Sequence, residues 1–304
     1  MAYFNFKVTL LENGLRVDKF ITQKLPQLSR SYLQKSQIKV NTKIVAKNFR
    51  LKNNDQVWLA LPPLKQLKIE PEKIPLKIIF EDPEVLVLHK PAGLICHPTD
   101  RGGQISGTLI NALLYYFRQT QTAFGLVHRL DRETSGLLLV AKTKQAKKKL
   151  NQQFCQRTIT KKYLALASGR FKVNQGLIDA PIIRHPLKRI NQKISNLSSA
   201  RQAQTEFQVK KRFTVATLLD INLLTGRTHQ IRVHLKALKH PLIGDPTYGY
   251  PKINQKLQPP RLFLHAYFLE FDHPQTDQKM KFEIGLPTEL AKFLKKLAPL
   301  PLST

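Results

Sequence analysis

The stretch His128-Arg129-Leu130-Asp131-Arg132-Glu133-Thr134-Ser135-Gly136-Leu137-Leu138-Leu139-Val140-Ala141-Lys142 decides how this chain is read. A charged, polar loop runs straight into an apolar segment. Gly136 separates the two halves. Leu137 to Ala141 is apolar without alternation, which predicts a short strand buried on both faces. The loop therefore sits at the lip of a sheet. Asp131 lies between Arg129 and Arg132. Positive charge on both sides favours the anion, and an ionised, held carboxylate is a candidate nucleophile. On charge pattern alone, the same loop can also be a solvated surface turn whose charges pair with one another.

Composition narrows the partners. The 304 residues suit one large domain plus a small one, or two medium ones, and 42% hydrophobic residues allow a sizeable core. Lys and Arg number 50 against 20 Asp and Glu, a formal net charge of +30. Such a field favours polyanions, nucleic acid first. No basic amphipathic helix with an aromatic face stands out, so a membrane surface ranks well below RNA or DNA. Cys96 and Cys155 make no disulfide framework and fit a reducing compartment. The first residues lack the apolar core of a signal peptide, and no apolar run spans a bilayer. The expectation is a cytoplasmic monomer without a membrane segment.

Along the chain, residues 14–60 form a first unit. Val17, Phe20, Ile21 and Leu25 share a helical face that Pro26 ends. Ser29 is a candidate N-cap for a second short helix through Lys35, with Arg30 and Lys35 outward. Ile38 to Val45 and Gln56 to Ala60 read as strands, with a turn at Asn53-Asn54-Asp55. Residues 61–76, with Pro62, Pro63, Pro71 and Pro75, read as a linker. The large unit covers 77–297. Thr108 and Thr143 are expected to cap helices whose inward residues are Leu109, Leu113 and Phe117, and Ala146, Leu150 and Phe154. Lys147 and Lys148 then fall on the open side, as a solvated face or a phosphate-contacting stripe. Strands are expected at Ile159–Ala167, over Phe213 to Ile221, at Arg261–Phe271 and at Lys279–Ile284. Ile231, Leu235 and Leu238 mark a helical face. The fold class is α+β: a small basic domain, then a mixed, mainly antiparallel sheet with flanking helices.

The string His-Arg-Leu-Asp-Arg-Glu-Thr-Ser-Gly resembles the catalytic signature of the RluA family of RNA pseudouridine synthases, with Asp131 on that family's catalytic aspartate. Four more segments match in family order. They are Lys90-Pro91-Ala92-Gly93-Leu94, Lys161-Lys162-Tyr163-Leu164-Ala165, Leu224-Thr225-Gly226-Arg227-Thr228-His229-Gln230-Ile231-Arg232-Val233-His234, and His240-Pro241-Leu242-Ile243-Gly244-Asp245-Pro246. Finer matches at Gly107–Leu114 and Ala180–Pro186 are most similar to the RluD-like branch, which acts on large-subunit (23S) ribosomal RNA. Arg16–Phe20, Ser29-Arg30-Ser31, Val40-Asn41 and Asn54-Asp55 resemble an S4 RNA-binding domain. That unit is shorter than the S4 pattern by roughly one helical turn, and Thr42 stands where Gly normally follows Val-Asn.

The resemblance implies that a uridine leaves its stack and is isomerised to pseudouridine. No cofactor and no metal are called for, and the chain shows no dinucleotide or phosphate-loop motif. In the family's terms Asp131 is the nucleophile, Arg129 fills the vacated stack and Arg227 pairs with Asp131. Tyr163 is left with two roles, a stacking platform for uracil or a proton relay. Arg30, Lys35, Lys147 and Lys148 are the further RNA contacts. The alternative is a non-catalytic RNA-binding factor in ribosome assembly. A nuclease would want a carboxylate cluster for metal ions, and the sequence offers none.

Overall fold

An apolar run without alternation needs a cover on both faces, and Ser135–Ala141 has one. Leu138 and Val140 point into one core with Leu109, Leu113, Tyr163, Ile231 and Leu235. Leu137, Leu139 and Ala141 point into another with Val85, Val87, Ala146 and Leu150. All seven residues are buried. Each such Leu or Val contributes about 1.5–3 kcal/mol over its exposed form, so this strand anchors the sheet and the loop before it.

The computed structural model describes residues 2–26, 28, 30–61, 69–98, 105–120, 122–188 and 190–298. The chain divides into two units, residues 1–68 and 69–304. In the first, β1 (Ala2–Lys7), β2 (Gln37–Val40), β3 (Lys43–Ile44) and β4 (Gln56–Leu61) form an antiparallel sheet in the order β1-β4-β2-β3. Helix α1 (Val17–Lys24) buries Val17, Phe20 and Ile21 against it, and α2 (Arg30–Lys35) follows. The hairpin between β2 and β3 works without the glycine. Asn41 takes the left-handed conformation at φ 48°. Its side chain donates to Asp55 and accepts from the Gln56 N–H, at 2.8 and 2.9 Å. The expected cap Ser29 and the Arg30 side chain lie outside the described residues.

The second unit contains β5 (Lys77–Glu81), β6 (Val85–Lys90), α3 (Leu109–Tyr116), β7 (Gly125–Leu126), β8 (Ser135–Ala141), α4 (Lys144–Gln156), β9 (Thr160–Ser168), β10 (Gln175–Asp179), β11 (Ile182–Arg184), β12 (Gln192–Ile194), β13 (Gln204–Arg212), β14 (Ala216–Leu223), α5 (Gln230–Ala237), α6 (Pro251–Leu257), β15 (Leu264–Asp272), β16 (Lys279–Glu283) and α7 (Thr288–Lys295). Its main sheet runs β10-β13-β14-β9-β15-β8-β6-β5, with β16 on β15 and β7 on β8. Among the described pairings of strands in this sheet only β15 with β8 is parallel. Gly136 makes that junction possible. Its φ is +131°, and a Cβ there would stand 2.2 Å from the Ala266 carbonyl oxygen. Thr108 and Thr143 cap α3 and α4 as expected, accepting from the N–H groups of Asn111 and Ala146. Among the described residues no helix is long and apolar enough to cross a membrane.

Several boundaries move. The first unit begins with β1, before residue 14, because β1 completes the sheet by pairing Ala2 to Lys7 along β4. The unit break at 68/69 falls inside the expected 61–76 linker. Pro62 and Pro63 lie outside the described residues, but Glu70 and Glu72 belong to the large unit. Asn111 Nδ2 donates to the Glu70 carbonyl at 2.8 Å, and the Glu72 carboxylate accepts the Gly107 N–H at 2.9 Å. Phe213 and Val215 form the β13–β14 hairpin rather than strand, closed by the Phe213 N–H on the Ala216 carbonyl. Leu238 is exposed past the end of α5.

Candidate catalytic site

The loop before β8 is fastened along its length. The His128 Nε2 accepts the Leu139 N–H at 2.8 Å. The Leu130 side chain is buried, and its carbonyl accepts from Cys96 Sγ. The Asp131 carbonyl accepts the Thr134 N–H at 3.1 Å, closing a tight turn. The Arg132 carbonyl accepts the Gly93 N–H at 2.7 Å and Lys90 Nζ at 3.2 Å. Lys90 is wholly buried and also donates to the carbonyls of Pro91 and Leu94. Burial pushes its pKa down to about 8. One ammonium thus ties the Lys90–Leu94 turn to the Asp131 loop.

This loop forms one wall of a cavity of about 530 Å³, which also receives β9, the end of α4 and the segment entering α5. Among the described residues Asp131 is the only carboxylate lining it. Five cations line it with Asp131: Arg129, Arg157, Lys161, Arg227 and Arg232. Arg129 is exposed.

The ion pair with Asp131 comes from Arg232, not from Arg227. Arg232 Nη1 stands 3.7 Å from the Asp131 carboxylate, with side chains 4% and 16% exposed. Its Nε and Nη2 grip Asp245 in a bidentate pair at 2.7 and 2.8 Å. Asp245 also accepts the N–H groups of Thr247 and Tyr248. The His240–Pro246 segment therefore holds the arginine that holds the loop's aspartate. Gly244 fits the backbone to this task, since a Cβ there would meet the Arg261 carbonyl at 2.0 Å. Arg227 lines the same cavity but donates its Nε to the Gln202 carbonyl at 2.9 Å. Burial and the nearby Arg201 and Arg157 push its pKa down, the signature of a guanidinium among cations. A fixed hydrogen-bond net surrounds it: Gln230 accepts from Thr225 and from the Arg227 N–H, and donates to Thr205.

Tyr163, 5% exposed, sits on β9 with its side chain in the same core as Leu130. Burial, and then the Asp131 charge, push its phenol pKa up. The cationic lining does not turn it into a ready base. Lys161, two residues earlier on the same strand, also faces the cavity. Its ammonium lies 5.1 Å from the Phe154 ring centroid, and burial pushes its pKa down to about 8. Lys147 and Lys148 are exposed on α4 and do not line the cavity. Lys35 is exposed at the end of α2 in the first unit.

Reading the sequence alone overlooked Arg232, Asp245 and Lys161 as working residues, although each stands inside a quoted string. Arg227 and Arg232 occur in one segment, and only the placement of α5 shows which guanidinium reaches Asp131.

Comparison with known proteins gives the family of the chain. A family profile described as RNA pseudouridylate synthase matches residues 84–237. The chain is 40% identical to the ribosomal large subunit pseudouridine synthase D of Nitrosomonas europaea over 303 residues, covering 96% of this chain and 87% of that protein. It is 38% identical to an uncharacterized RNA pseudouridine synthase of Bacillus subtilis, covering 93% and 94%. Among solved structures, human RNA pseudouridylate synthase domain containing 1 superposes with a TM-score of 0.62 at 28% identity, covering 77% of this chain and 92% of that one.

Proposed function

The chain belongs to the RNA pseudouridylate synthase family, and from that premise we propose that it isomerises uridine to pseudouridine in large-subunit ribosomal RNA, in the RluD-like branch. The observation that carries this reading is one carboxylate, Asp131, paired with a buried arginine in a cavity whose other charged side chains, among the described residues, are all cations. The cations suit the phosphates around an extruded nucleotide. A passive assembly factor would have no use for the buried Arg232 and Asp245 clamp.

In this reading the target uridine swings out of its helix and Arg129 occupies the space it leaves. Asp131 attacks the sugar or removes a proton from it, and the bond from C1′ to N1 breaks. The uracil turns, C5 bonds to C1′ as the Asp131 carboxylate leaves the sugar or returns its proton, and the C5 proton is lost while N1 gains one. Arg232 fixes the carboxylate in one orientation, so little reorganisation accompanies the step. The Tyr163 ring forms a wall for the uracil. Lys161, Arg157 and Arg227 neutralise phosphate charge, and a phosphate beside Lys161 would stabilise its ammonium. Arg30, Lys35, Lys147 and Lys148 extend the contact with RNA outside the cavity. The enzyme works as a cytoplasmic monomer with no cofactor or metal.

Asp131→Asn tests the reading. The change keeps shape and removes the charge, so product should vanish while RNA affinity and melting temperature stay near wild type. Carbodiimide adduct mapping by primer extension reads the product. Wild-type pseudouridine yield from the purified variant would overturn the proposal.

A further inference from the structure

The first unit carries a surface that the catalytic reading does not use. Its sheet buries one face: Ile38, Val40, Val57, Leu59 and Leu61 pack with Phe20 and Ile21 of α1. The other face is open, and strand register sets what stands on it. Asn5, Trp58, Lys39 and Ile44 lie directly opposite one another across all four strands. Tyr3, Ala60 and Gln37 form the row on one side, and Lys7 and Gln56 the row on the other. Trp58, the single tryptophan of the chain, is 49% exposed, Tyr3 67% and Ile44 65%.

No carboxylate stands on these rows. The three acids of residues 1–68 are used elsewhere: Glu12 pairs with Lys24, Asp18 with Arg16, and Asp55 accepts from Asn41 and the Lys52 N–H. Thirteen Lys and Arg residues share the unit with these three. An exposed indole beside a cross-strand lysine, with amide side chains at its edges, is the composition of a base-stacking platform. Protein interfaces also favour Trp and Tyr, but they are depleted in Lys.

We propose that this sheet face binds single-stranded RNA, with a base stacked on Trp58 and phosphates met by Lys39 and Lys7. The inference rests on the reading of the chain as an RNA-modifying enzyme and adds a contact surface to it. Stacking is tolerant of base identity, so the surface would hold RNA flanking the target rather than select the uridine.

Trp58 supplies the readout. The full-length protein is titrated with a single-stranded oligoadenylate of about eight nucleotides, which contains no uridine. Saturable quenching of tryptophan emission is expected. By anisotropy of the labelled oligonucleotide, Trp58→Ala should bind about tenfold more weakly, and Trp58→Phe should recover most of the loss. Lys39→Gln should flatten the dependence of log affinity on log salt by about 0.7. Circular dichroism melts of each variant report folding independently. Binding without quenching, or unchanged affinity in Trp58→Ala, would overturn the proposal. Emission that follows protein concentration instead of RNA would overturn it too, giving the face to a second copy of the chain. Product mapping on ribosomal RNA with wild-type protein tests the catalytic reading separately, so the two failures are distinguishable.

Discussion

Replacing Arg232 with methionine, beside the same change at Arg227, separates the two candidate partners of Asp131. Methionine fills much of the volume and removes the guanidinium. In Arg232→Met the Asp245 carboxylate, 0% exposed, keeps only the N–H groups of Thr247 and Tyr248. Removing one partner of a buried pair costs about 3–5 kcal/mol. For a unit the size of residues 69–304, each kcal/mol moves Tm by about 2–4 °C. The expected drop is roughly 6–20 °C. Catalysis should fall further than stability explains. The Asp131 carboxylate loses the group 3.7 Å away that fixes its direction, and misplacement of this kind costs roughly 100-fold or more. Arg227→Met removes one hydrogen bond to a carbonyl. It should move Tm by no more than about 4 °C, taking such a bond at about 1 kcal/mol, and weaken RNA binding more than turnover. Scanning calorimetry gives Tm, and single-turnover kinetics at saturating RNA, well below both transitions, gives the rate. Asp245→Asn, which keeps an oxygen for the two N–H groups, should lie between wild type and Arg232→Met. A 100-fold loss in Arg227→Met with near-normal turnover in Arg232→Met would refute the assignment.

The Tyr163 phenol, with its pKa pushed up, should not be needed as a base. Tyr163→Phe is expected to release tritium from C5 of the target uridine within about tenfold of wild type, while Tyr163→Leu loses roughly tenfold in binding as well. Phe falling far below wild type in tritium release, to the level of Leu, would return the proton to the hydroxyl. His265 is buried between the Ser135 hydroxyl and the Gly285 carbonyl, near His89 and Arg261, and burial pushes its pKa down to about 4. The folded state therefore favours the neutral ring. That contribution is complete above the unfolded pKa of about 6.5 and is lost as pH falls toward 4, about 2 kcal/mol by pH 5. Urea midpoints at pH 7.5 and pH 5 should show this loss, and His265→Gln should show less of it. Gly136→Ala should lower the urea midpoint by an equivalent of about 3 kcal/mol, from a strained φ and a clash with Ala266; a neutral result would mean that β8 and β15 can part without cost.

Most of the catalytic unit's anchor points are local, and local signals are legible. β8 is an unbroken apolar run, and Thr108 and Thr143 stand one residue before their helices. What escaped was long-range or polar. β13 carries Glu206, Gln208 and Lys210 on its open face, so its alternation is diluted and its strand signal weak. β1 finds its partner β4 about fifty to sixty residues away in sequence, beyond the reach of a local signal. The exchange of Arg227 for Arg232 has the same origin. Both guanidiniums fit the string, and about one hundred residues separate either from Asp131.

The fastening of the Asp131 loop carries a temporal consequence. Ser135 waits for His265 and Arg261, and Asp131 waits for Arg232. β8 gains its parallel neighbour only when β15 exists. During synthesis at about 5–20 residues per second, the chain runs for roughly 7–27 s between emergence of the loop and emergence of His265. For the first part of that interval, until Arg232 emerges, the nascent chain carries the basic N-terminal unit while Asp131, the proposed nucleophile, has no ion-pair partner to direct it. A protein made beside the very class of RNA it acts on would thus be born catalytically silent, and chains terminated before β15 would bind without modifying.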